Sequence, residues 1–116
     1  VDEFLPAVGQ GAIGITTRSE DHATRVKLGA ILHDHTCLAL TTERAFLRVL
    51  DGSCRTPIAG HAQVVNGRIE FRGMVLREDG SECFDVTDSG APDDAELIGT
   101  RAGQKLRETM PADVLP

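Results

Sequence analysis

The sequence predicts an α+β domain, an open-faced antiparallel sheet of about three strands covered on one side by helices. Three observations predict it. Apolar residues recur at helical spacing from Leu38 to Leu50 and again from Ala95 to Leu106. Between them the period changes to two: Ile58, Gly60, Ala62 and Val64, then Ile69, Phe71, Gly73 and Val75, alternate with polar residues. Turn signals divide that region at Asn66-Gly67 and at Glu78-Asp79-Gly80-Ser81.

Ahead of this unit, Gly9, Gly11 and Gly14 satisfy the spacing of a dinucleotide-binding turn. The context fails. Pro6 stands where a strand should end, and Ile15-Thr16-Thr17 favours a strand where a helix should begin. Residues 1–17 therefore read as a flexible crossing segment followed by a short strand. Asp21 to Leu32 reads as a helix, with Ala23, Val26, Ala30 and Ile31 at helical spacing and Ser19 or Asp21 as its cap. His33, His35 and Cys37 are spaced by two, which does not place metal ligands on one helical face. The histidines read as surface residues before a helix capped by Asp34 or Thr36, with Cys37 in its first turn.

On a helical wheel Leu38, Ala39, Leu40, Ala45, Phe46, Leu47, Val49 and Leu50 form a wide apolar arc, with Thr41, Arg44 and Arg48 opposite. Glu43 falls inside the arc. An unpaired charge there is expensive, so Glu43 reads as a structural anchor that pins the helix to a loop or a neighbouring domain. The helix breaks at Asp51-Gly52-Ser53, and Pro57 prevents it from resuming. Cys54 stands on the short loop between, with Arg44, Arg48 and Arg55 near it in sequence. Guanidinium groups favour a thiolate, and they suit an anionic group attached there. Spacing alone also allows a helix-end loop with an incidental cysteine.

In the third strand Phe84 and Val86 alternate with Cys83, Asp85 and Thr87. Ala91-Pro92-Asp93-Asp94 opens a last helix, with Asp93 and Glu96 as a capping box and Ala95, Ile98, Ala102 and Leu106 as its apolar stripe. Pro111 ends it.

The length of 116 residues supports one compact domain, or one plus a fragment. A formal net charge of −6 argues against nucleic acid as a partner, since duplex binding needs a basic footprint. No apolar run approaches the roughly 20 residues of a membrane span. The opening VDEFLPAV lacks the layout of a signal peptide. Cys37, Cys54 and Cys83 are irregularly spaced, which suits free thiols and a reducing, cytoplasmic compartment. No acidic residue sits in a recognisable catalytic setting, so no catalytic residue is assigned.

The segment ERAFLRVLDGSCRTPIAGHA resembles the cofactor-attachment segment of the porphobilinogen deaminase (hydroxymethylbilane synthase) family. Leu50, Asp51, Gly52, Cys54, Pro57 and Ile58 stand in register with that family's L-[DE]-G-x-C-x-x-P-[IV] pattern. PAVGQGAIGI, Pro6 to Ile15, is similar to the family's inter-domain hinge, and NGRIEFRGMVLREDGSE has the cadence of its hairpin. The resemblance covers nearly the whole chain.

It implies a covalent dipyrromethane cofactor on Cys54 through a thioether, in a loop with Gly52 and Ser53 and near Arg44. Gln10 and Gly11 would lie near the active-site cleft, and Arg18 would face it to bind substrate carboxylates. Residues 1–33 would be the hinge plus a returning strand and helix of a missing first domain, and 34–116 the cofactor-carrying C-terminal domain. The implied activity polymerises four porphobilinogen units into hydroxymethylbilane, in tetrapyrrole and haem biosynthesis. The implied partners are porphobilinogen, the growing pyrrole chain and the missing N-terminal domains, in a monomer. Without those domains the chain is expected to be inactive. Gly14-Ile15-Thr16 departs from the family's usual Gly-Ile-Glu, which puts one local contact in doubt. Two other classes stay open: a non-enzymatic binding or scaffold domain with a free loop cysteine, and a thiol-redox protein. The second lacks a resolving cysteine within a few residues of Cys54.

Overall fold

Asn66 and Gly67 both take positive φ, 51° and 73°, and so close a two-residue hairpin between Val65 and Arg68. The computed structural model describes residues 4–50 and 57–114. Helix α1 spans His22–Gly29 and α2 spans Asp34–Leu50. Strands β1 (Ile58–Val65), β2 (Arg68–Leu76) and β3 (Cys83–Gly90) follow, then a 3₁₀ turn at Pro92–Asp94 and α3 (Ala95–Thr109). The strands form one antiparallel sheet in the order β1-β2-β3. This is the α+β architecture the periodicities predict.

Ala62, Ile69, Phe71 and Val75 point to one face and are buried. Phe46 and Leu50 from α2, with Ile98, Ala102 and Leu106 from α3, cover that face and complete the core. Phe46 meets Phe71 with ring centroids 4.8 Å apart. Gly73 makes room for this ring, since a Cβ there would lie 2.5 Å from Phe46 Cζ. The two helices also approach closely. A Cβ at Gly99 would collide with the backbone carbonyl of Thr42, and one at Gly103 would lie 2.8 Å from Val49 Cβ.

One charged pair shares the covered side of the sheet. Asp88 follows Phe84 and Val86 in the inward parity of β3, and its side chain is 9% exposed. Arg101 on α3 grips it with Nε donating to Oδ2 at 2.6 Å and Nη2 to Oδ1 at 2.8 Å. These bonds hold the Asp88 carboxyl below its ordinary range, against burial, which pushes it up. Arg77, at the end of β2, holds Glu82 across the next turn and Asp113 beyond α3.

Several local expectations are corrected. No strand forms at residues 12–18; Ile13 and Ile15 are exposed and have no strand partner among the described residues. β-propensity at Ile15-Thr16-Thr17 cannot make a strand without a neighbouring edge. The edge contact lies upstream, where Ala7 bridges Ala59 and Gly60 N donates to Pro6 O at 3.0 Å. Helix α1 is shorter than expected and buries no residue. Asp21 is its cap, accepting from Thr24 N at 3.0 Å. Neither Asp34 nor Thr36 caps α2. His33 does, with Nδ1 accepting from Thr36 N at 3.2 Å, which puts Asp34 inside the first turn. The Asp93–Glu96 capping box does not form, because the 3₁₀ turn moves the cap to Asp94, which makes no side-chain bond. Glu96 instead faces Arg48. Among the described residues no helix is long and apolar enough to cross a membrane.

Candidate functional site

The apolar arc of α2 determines how its other side chains are displayed. With Ala45, Phe46 and Leu50 buried, Thr41, Arg44 and Arg48 are exposed on the opposite stripe. Arg48 Nη1 lies 3.4 Å from Glu96 Oε1, and Arg44 has no ion-pair partner among the described residues. The helix ends at Leu50, which is 1% exposed. The chain is fixed again at Pro57, whose carbonyl accepts from Leu76 N at 3.0 Å, and β1 begins at Ile58. Both flanks of residues 51–56 are thus held by the core. Gly52, Ser53 and Cys54 lie outside the described residues. The other cysteines, Cys37 and Cys83, are exposed free thiols.

Glu43 lies within the apolar arc and is 6% exposed. Its Oε1 accepts from Gly9 N at 2.9 Å and its Oε2 from Ala62 N at 3.3 Å. One carboxylate therefore ties α2 to both the N-terminal segment and β1. Two N–H donors offset the cost of burying the charge. Around Gly9 the chain makes two successive turns, with Gln10 N donating to Ala7 O and Ala12 N to Gly9 O, each at 3.1 Å. Gly9 and Gly11 carry the positive φ values, 72° and 82°, that this path requires. The Gln10 side chain folds back, its Oε1 accepting from Ala7 N at 3.1 Å.

A shallow groove of about 240 Å³ runs between this segment, α2 and β1. Gln10, Gly11, Glu43 and His61 all line it. The structure thus brings together three of the residues singled out in the sequence. Arg18 and Arg44 are exposed and do not line this groove. His61 was not singled out, although the two-residue period of β1 puts it opposite the buried Ala62. His33 takes the capping place at which Asp and Thr are the commoner residues.

Residues 36–108 match the family described as "Porphobilinogen deaminase, C-terminal domain". The chain is 50% identical over 107 residues to the porphobilinogen deaminase of Nitrobacter winogradskyi, covering 92% of this chain and 34% of that protein. The enzyme of Nitrobacter hamburgensis gives the same identity and coverage. With that of Paracoccus denitrificans the identity is 46% over 112 residues, 97% of this chain and 36% of the relative. The chain therefore spans about a third of the length of these relatives. The family match and the identities to these relatives agree: this chain belongs to the porphobilinogen deaminase family, whose C-terminal portion it represents.

Proposed function

We propose that this chain is the primer-carrying part of an enzyme that condenses four porphobilinogen units into hydroxymethylbilane. Cys54 anchors a dipyrromethane cofactor through a thioether. The observation that carries this reading is the family match across residues 36–108, which contains Cys54 between the buried end of α2 and the fixed start of β1. The chemistry of the residues fits the group. A soft sulfur forms a durable carbon bond, and the arginine stripe of α2 leads toward residues 51–56. When bound, the dipyrromethane supplies the pyrrole end to which monomers are added.

The chain's own residues bind and orient. Arg44, and more weakly Arg18, offset the carboxylates of the pyrrole chain. Gln10 and Gly11 border the cleft. Glu43 holds that segment to the helix that precedes Cys54. The acid–base group for catalysis comes from domains that precede this one, and the whole acts as a cytoplasmic monomer.

Intact mass of the full-length parent tests the reading. The wild type should carry the added mass of two pyrrole units, and Cys54→Ser should lack it and lose activity. An unmodified wild type, or an active Cys54→Ser enzyme, would overturn it.

A further inference from the structure

The outer face of the sheet carries a second groove, of about 610 Å³, that the primer reading does not use. Strand register builds it in two rows. His61, Arg72 and Thr87 are direct neighbours across the three strands, and Gln63, Glu70 and Ser89 form the next row. Leu5 walls the β1 side, held there by the Pro6–Gly60 bond and the Ala7–Ala59 bridge.

The charges in this groove are set by the parity of β2. Arg72 and Glu70 leave the same face of β2 two residues apart, a separation of roughly 7 Å. Both are exposed, and neither makes an ion pair with the other or with any described residue. Asp88, whose backbone also borders the groove, has its carboxylate turned inward to Arg101. Gln63 Nε2 lies 3.0 Å from His61 Nε2; with the amide as donor, the imidazole keeps its proton on Nδ1 as a further donor. One row thus offers donors and a cation, with the Thr87 hydroxyl. The other offers a carboxylate, an amide and a hydroxyl.

We propose that this face is a binding site for a small linear zwitterion, with its carboxylate on Arg72, His61 and Thr87 and its ammonium on Glu70 and Ser89. A simple anion would meet Glu70 and a simple cation would meet Arg72. A ligand with both charges about 7 Å apart satisfies each, and its methylenes lie against Leu5.

The test is an amide chemical-shift titration of the 116-residue chain with 5-aminovalerate, against valerate and pentylammonium as single-charge controls. The zwitterion should shift the amides of His61, Glu70, Arg72 and Thr87 at millimolar concentration, and each control should bind about tenfold more weakly. Arg72→Gln and Glu70→Gln should each weaken binding about tenfold with unchanged melting temperature, since both side chains are exposed. Shifts of equal size with valerate alone would show a plain anion site. No saturable shift at these residues would show a solvated face. Either result overturns the proposal.

Discussion

Glu43 and Gly9 stand 34 residues apart in sequence, yet the Glu43 carboxylate accepts the Gly9 backbone N–H at 2.9 Å. The same side chain holds Ala62 N. A change at Glu43 should therefore loosen two distant parts of the chain at once. Glu43→Gln replaces one acceptor oxygen by a donor that faces an N–H. It should lower unfolding free energy by about 1–3 kcal/mol in urea denaturation. Hydrogen exchange at Gly9 and Ala62 should quicken together. Unchanged protection at both amides would refute the link.

Gly99→Ala separates local preference from packing. Alanine in a helix interior is favoured over glycine by about 1 kcal/mol. Here the added methyl runs into the Thr42 carbonyl, which is backbone and cannot rotate away. The variant should lose about 1–3 kcal/mol in thermal or chemical denaturation. A gain would mean that α2 and α3 do not approach as closely as described.

The Asp88–Arg101 pair predicts an acid dependence. The folded carboxyl titrates below its ordinary value, and the unfolded one near about 3.9. Its contribution is present above the unfolded value and is lost as pH falls through the folded one. The melting temperature should hold between about pH 7 and pH 5 on this account, then fall below about pH 4. Asp88→Asn should melt lower at neutral pH and show a shallower acid decline. Parallel curves for the two proteins would remove Asp88 from the account.

In the full-length parent, only Cys54 should carry the pyrrole cofactor. Cys37 and Cys83 sit within α2 and β3, where an attached group would project from a regular element. Cys37→Ser and Cys83→Ser should keep activity within about twofold, as expected for exposed substitutions. Cys54→Ala should abolish it. Peptide mapping with a pyrrole-specific colour reagent gives the location, and label on a Cys37 or Cys83 peptide would contradict it.

Much of this fold is written locally. Asn66-Gly67 fixes a hairpin because both residues tolerate positive φ, and the hairpin then sets which of Ile69 and Arg68 faces inward. The burial of Glu43 followed from the helical wheel alone, but its partners did not. Gly9 and Ala62 belong to segments that periodicity treats separately. Asp88 was missed for the same reason. Polar residues at inward positions look like mistakes in a pattern until Arg101, 13 residues on, is seen to meet them. Helical periodicity says nothing of Gly99 and Gly103, since only the neighbouring helix shows why no Cβ fits. The expected strand at Ile15 failed in the opposite direction, with local preference present and no partner edge.

The β1 edge has a consequence for self-association. An outer strand normally leaves a row of backbone donors that can recruit another chain. Here Pro6 occupies the Gly60 N–H and Glu43 occupies that of Ala62. A second copy seeking to extend the sheet at β1 would first have to displace a buried carboxylate and the Pro6–Ala7 segment. Aggregation by strand addition is therefore directed to β3, whose outward Asp85 sets a negative charge against an identical approaching edge.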